Sequence, residues 1–141
     1  MSEMRLHHLG FVVQDIHDAL DRFARSLGAT SDGRIWEDPY QSVKVSFLTT
    51  QPNDAQVELV QPIGDHSPVA RFLHEKGGGL HHACYEVDNL EDQIVMLRAA
   101  GGILAKKPKP AVAFGGRRIA WILTSDKFLV ELLERSARAV L

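Results

Sequence analysis

Apolar positions along the chain change period in a fixed order, and that order occurs twice. Residues 4–13 alternate weakly and close on Phe11-Val12-Val13, which predicts a strand. Asp15 then opens a helical stripe of Ile16, Leu20, Phe23 and Leu27, stopped by Gly28. After the Asp32-Gly33 turn, Ile35-Trp36 reads as a short strand. Residues 43–48 form a strand rich in β-branched side chains, and Gln51-Pro52-Asn53-Asp54 is a turn cluster. Gln56-Val57-Glu58-Leu59-Val60 is a further strand, ended by Pro62.

Ser67-Pro68 has the form of a helix start, with Val69, Phe72 and Leu73 as the apolar face. Gly77-Gly78-Gly79 ends that helix and reads as a flexible joint between halves. The first order then returns. Residues 81–87 read as a strand, and Asn89 caps a helix with stripe Leu90, Ile94, Leu97 and Gly101. Lys106-Lys107-Pro108-Lys109-Pro110 reads as a stiff basic loop, continued by residues 111–116 with a Gly115-Gly116 turn. Residues 118–124 and 129–133 are strands that match 44–50 and 57–60. The expectation is a single α+β domain over residues 1–141, built from two βαβββ modules, residues 4–66 and 67–135.

Composition narrows the class. A chain of 141 residues with 45% hydrophobic and 24% charged residues can bury a core without disulfides. Cys84 is its one cysteine, so no internal disulfide forms, which suits a reducing cytoplasmic setting. The first residues hold no apolar leader, and no run has the length of a membrane span. A net charge of -2 makes no electrostatic case for nucleic acid or membrane partners.

The repeat copies polar residues as well as apolar ones. Leu6-His7-His8 returns as Leu80-His81-His82, and Val57-Glu58-Leu59 returns as Val130-Glu131-Leu132. A carboxylate inside an apolar strand is costly unless it is paired or holds a metal. Two imidazoles and two carboxylates at matching places suit one divalent transition ion, so His8, Glu58, His82 and Glu131 are the expected ligands. Strand alternation chooses between the histidines. His8 shares a face with Gly10, and His82 with Cys84, small neighbours that leave room; His7 shares a face with Leu9 and Phe11, and His81 with Ala83 and Tyr85, which reads as packing against the helices.

These residues carry a family likeness. Leu6-His7-His8-Leu9-Gly10, residues 57–62, residues 67–73, Gly79-Leu80-His81-His82 and residues 115–120 resemble the vicinal oxygen chelate superfamily of glyoxalases, extradiol dioxygenases and antibiotic-resistance proteins. Within it the chain is most similar to the methylmalonyl-CoA epimerases. The resemblance implies a curved mixed sheet around a metal cleft and one ion held by His8, Glu58, His82 and Glu131. It implies an acyl-CoA substrate, with Glu131 and Glu58 as bases that move a proton alpha to a carbonyl. Cobalt, nickel, zinc and manganese all suit such a ligand set. One departure stands out: some epimerases carry a carboxylate on the second major strand, whereas Val43-Lys44-Val45-Ser46 has none.

Rival readings use the same residues. A glyoxalase I-type lyase would use the four ligands on a different thiol adduct. An iron dioxygenase would need only His8, His82 and one carboxylate, and the fourth ligand argues against it. A non-catalytic drug- or metabolite-binding protein would need no Glu58/Glu131 pair. Lys106, Lys107, Lys109, Arg117 and Arg118 could meet phosphates or form a solvated surface, and Phe47, Phe114 and Trp121 could line a pocket or fill a core. Exposed sheet edges make a homodimer the expected assembly.

Overall fold

A computed structural model describes residues 4–51 and 54–135, so Pro52 and Asn53 of the expected turn lie outside the described residues. The elements run β1 (Met4–Val12), α1 (Ile16–Leu27), β2 (Trp36–Asp38), β3 (Val43–Leu48), β4 (Gln56–Pro62), α2 (Ala70–Lys76), β5 (Gly79–Val87), α3 (Leu90–Ala99), β6 (Ile103–Pro110), a 3-10 turn (Val112–Phe114), β7 (Arg118–Leu123) and β8 (Leu129–Glu134). The βαβββ order is therefore present twice, with α2 inserted between the copies. Contacts divide the chain into one compact unit of residues His8–His82 and a second formed by the rest, so the division falls inside β1 and β5.

In the His8–His82 unit the strands lie in the order β2-β3-β4-β1. β1 runs parallel to β4, whereas β3 is antiparallel to both β2 and β4. α1 starts because the Asp15 carboxylate accepts the Asp18 N–H at 3.0 Å. It stops at Gly28, whose left-handed φ of 64° lets its N–H reach the Ala24 carbonyl. Its buried face is Ile16 and Ala19, packed with Ala29, Leu48 and Leu59. Leu20 and Phe23 flank this cluster, but Leu27, expected at the end of the stripe, is 57% exposed. Leu27 lies on the same side of the helix as Ile16, but the stripe does not fix how far the sheet extends beneath the last turn.

α2 also starts later than expected. Ser67 does not cap it directly; its carbonyl accepts the Ala70 N–H at 3.0 Å and its hydroxyl accepts the Val69 N–H at 3.4 Å. This makes a turn that feeds the helix from Val69. Val69 is buried, while Phe72 and Leu73 are half-buried.

In the other unit the order is β5-β8-β7-β6, with β5 parallel to β8 and the remaining pairs antiparallel. α3 is capped by Asn89, which accepts the Asp92 N–H at 2.9 Å. It buries Leu90 and Ile94 against Val87, Ala120, Ile122, Val130 and Leu132. The stretch expected as a basic loop, Lys106 to Pro110, is instead the end of β6. Lysine and proline oppose a central strand, but β6 lies at the end of this order, where both are tolerated and discourage further pairing. Register shifts at Lys106 and Lys109 absorb the prolines. Among the described residues no helix is long and apolar enough to cross a membrane.

Candidate metal centre

Strand alternation sets the chemistry of each sheet face. On β4, Leu59 points to the α1 cluster, so its neighbour Glu58 points to the opposite face. There Gly10 of β1 and Phe47 of β3 are its register partners. On β8, Val130 and Leu132 pack toward α3, so Glu131 takes the opposite face, with Cys84 and Trp121 as register partners. The repeat therefore extends to register: Gly10, Glu58 and Phe47 hold the places that Cys84, Glu131 and Trp121 hold in the other copy.

Within the His8–His82 unit three of the four expected ligands converge. His8 Nε2 lies 3.3 Å from Glu58 Oε1, and His82 Nε2 lies 3.3 Å from the same oxygen. The two Nε2 atoms are 3.2 Å apart. All three side chains are buried. Two imidazole lone pairs at that separation repel unless a proton or cation lies beside them. Donors bound about 2.1 Å from one ion sit about 3.0 Å apart on an octahedral edge and about 3.4 Å apart on a tetrahedral one. The observed separations fall between those limits, so the donor set fits a divalent ion in spacing as well as in chemistry. Glu131, the fourth expected residue, is buried on β8, 3% exposed, and is described within its own unit.

Two supporting features explain why the imidazoles sit as they do. A Cβ on Gly10 would run into the His82 ring, so the glycine gives the ring its space. The sequence marked Gly10 as a small neighbour of His8; that it serves His82 emerges only from the folded chain. Phe47 packs edge-on against His8, with centroids 5.6 Å apart.

The first histidines of the pairs differ from each other. His7 packs edge-on against Phe114 at 5.4 Å, as expected of a packing residue. His81 packs edge-on against Phe72 at 4.9 Å, but its Nδ1 also lies 2.9 Å from His82 Nδ1. Packing alone was expected there, and nothing in the strand pattern signals the second contact.

The basic residues separate into two kinds. Arg117 donates to Glu86 at 2.9 Å, and Arg118 pairs with Glu134 at 2.7 Å and Glu91 at 2.8 Å. Those hydrogen bonds hold Arg118 above its ordinary pKa and Glu134 below its own. On β6, burial first and Lys109 second pull Lys106 below the usual lysine value. Phe114 and Trp121 flank a cluster of Cys84, Ala111, Ile119 and Leu133.

Residues 7–121 match the sequence model of the Glyoxalase/Bleomycin resistance protein/Dioxygenase superfamily. An ethylmalonyl-CoA/methylmalonyl-CoA epimerase of Cereibacter sphaeroides is 32% identical over 123 residues, covering 86% of this chain and 90% of that protein. A mitochondrial methylmalonyl-CoA epimerase of Bos taurus is 33% identical over 132 residues, covering 91% of this chain and 73% of that protein. The crystal structure of a methylmalonyl-CoA epimerase from Mycobacterium tuberculosis superimposes with a TM-score of 0.83 at 25% identity, covering 94% of this chain and 89% of that one. The α+β fold with paired βαβββ modules is thus the glyoxalase-like fold.

Proposed function

The chain belongs to the Glyoxalase/Bleomycin resistance protein/Dioxygenase superfamily, and from that premise we propose that it is a metal-dependent epimerase acting on methylmalonyl-CoA or a closely similar acyl-CoA. The observation that carries this reading is the 32% identity to an epimerase over 86% of the chain. The buried His8, His82 and Glu58 cluster supports it, since acyl-CoA epimerisation needs a carbanion beside a carbonyl to be stabilised.

In this reading His8, Glu58, His82 and Glu131 hold one divalent ion. When bound, the ion supplies Lewis-acid polarisation of the substrate carbonyl and a template for neighbouring oxygens. The protein supplies the rest. His8 and His82 present neutral Nε2 lone pairs, and two carboxylates balance the ion, so an anionic substrate meets no net repulsion from the ligand set. Glu131 takes the proton alpha to the carbonyl on a carboxylate oxygen and later releases it to solvent, while Glu58, having taken up a proton from solvent before the substrate is enclosed, gives that proton to the opposite face. β3 offers no carboxylate for this task, and Ser46 on it already donates to the Arg34 carbonyl at 2.7 Å. The apolar surroundings, Phe47 against His8 among them, exclude water and strengthen these charges.

The protein works as one domain of two modules, residues 4–66 and 67–135, and assembles as a cytoplasmic homodimer. The ion is cobalt, nickel, zinc or manganese. The direct test is deuterium wash-in at the alpha carbon of methylmalonyl-CoA, followed by NMR with each ion in turn. Ion-dependent exchange is expected. No exchange with any ion bound would overturn the epimerase reading, and turnover of a methylglyoxal–thiol adduct in its place would establish a glyoxalase-type lyase. Sedimentation velocity checks the dimer.

A further inference from the structure

We propose that His81 is a positioning residue that selects the tautomer of His82. The inference rests on the metal-site reading above, because it concerns which nitrogen of His82 is left to bind an ion. Neighbouring residues on a strand point to opposite faces, so side-chain contact between them is not the default. Here the two Nδ1 atoms are 2.9 Å apart, hydrogen-bonding distance.

A neutral imidazole carries one N–H and one lone pair. The Nδ1–Nδ1 contact therefore needs a donor on one ring and an acceptor on the other. If His82 donates from Nδ1, its Nε2 must carry the lone pair. That Nε2 is the atom 3.2 Å from His8 Nε2 and 3.3 Å from Glu58 Oε1. If His82 were the acceptor, its Nε2 would carry a proton directed at the same group and could not bind an ion. The first arrangement requires His81 to accept on Nδ1 and so to carry its own proton on Nε2. Metal-binding histidines are commonly held this way by a carboxylate or carbonyl; in this chain a second imidazole takes that role.

The ring of His81 is itself held in place. Phe72 of α2 packs edge-on against it with centroids 4.9 Å apart. On β1, the bare Gly10 backbone leaves room for the His82 ring, which a Cβ there would meet. His82 is thus constrained by strand β1 and by a contact relayed from α2 through Phe72 and His81. The His-His pair is in this respect a functional unit, not one ligand beside one packing residue.

The test has two arms. In metal-free protein, long-range 15N–1H NMR at mildly alkaline pH reports the tautomer of each assigned histidine. His82 is expected as the Nδ1–H form in the wild type and as a mixture in His81→Phe, a variant that keeps an aromatic ring beside Phe72. Cobalt titration, followed by visible absorption and calorimetry, is the second arm. His81→Phe should weaken binding about 10- to 100-fold, and His81→Asn, which returns a side-chain acceptor, should recover most of it. An Nε2–H form of His82 in the wild type, or unchanged cobalt affinity in His81→Phe, would overturn the proposal. If the wild type took up no divalent ion while His82 kept its Nδ1–H form, the metal reading would fail and the positioning contact would stand.

Discussion

At the register position where one copy of the repeat carries Gln61, the other carries Glu134. The opposing residues are Lys44 and Arg118. In the second copy the carboxylate and guanidinium pair directly at 2.7 Å, and Arg118 also reaches Glu91 on α3. In the first copy the Gln61 amide oxygen instead accepts the Ile16 N–H of α1 at 2.9 Å. Both arrangements tie a helix to a sheet, one through charge and one through a backbone donor that would otherwise lack a helical partner. A similar divergence occurs near the centre: Gly10 gives space to His82, whereas its counterpart Cys84 fills a small apolar cluster. A duplicated fold keeps register because register sets which face each side chain takes. It is free to change side chains wherever the face they serve has a different neighbour.

That comparison can be broken at several points. The largest effect is expected at the proposed ligands. His8→Ala or His82→Ala should cut divalent-ion affinity by more than the about 10- to 100-fold that losing a supporting contact costs, as read by calorimetry. Matched core positions should respond alike: Leu59→Ala and Leu132→Ala are each expected to lose about 2–5 kcal/mol in urea unfolding, because both are fully buried. Unequal losses would show that the two copies are packed to different standards.

Gly10→Ala and Cys84→Ala should part company. The first pushes a Cβ into the His82 ring and is expected to weaken ion binding about 10-fold or more, with about 1–3 kcal/mol of overpacking. The second removes one buried sulfur, costs about 1 kcal/mol and leaves ion affinity unchanged. Equal ion affinities for the two variants would remove the assigned role of Gly10.

Smaller differences are expected at Gln61 and Glu134. Gln61→Ala should cost about 0.5–2 kcal/mol at any pH, since it removes an uncharged cap. Glu134 has its pKa lowered by Arg118, so its contribution is present above the ordinary carboxylate range and is lost as pH falls through the lowered value. Glu134→Gln should therefore flatten the acid limb of the stability curve, with little change in the pH dependence of Gln61→Ala. Denaturant midpoints measured from neutral pH into the acid range check both.

Much of this was legible in the chain. The repeated period of apolar residues gave the βαβββ order, and the alternation of strands picked His8 and His82 over their neighbours. Asp15 and Asn89 were readable as caps because capping is local and needs only a short polar side chain at a helix start. β6 was not readable, since Lys-Lys-Pro-Lys-Pro has the composition of a loop and becomes a strand only at the end of a sheet. Leu27 was misjudged for a related reason: a stripe predicts which side of a helix is apolar, not how far the neighbouring sheet extends beneath it.

By itself the sequence determined most of the elements, β6 excepted, their duplication and the identity of the residues with chemistry to offer, because periodicity, turn residues and residue type are local properties. Tertiary structure decided the distances. It brought His8 and His82, 74 residues apart, to 3.2 Å, set both against one oxygen of Glu58, and placed the bare backbone of Gly10 under the His82 ring. It also turned His81 from a packing residue into a partner of His82. Contacts of that kind depend on strand pairing and on rotamers chosen by packing, which no window along the chain contains.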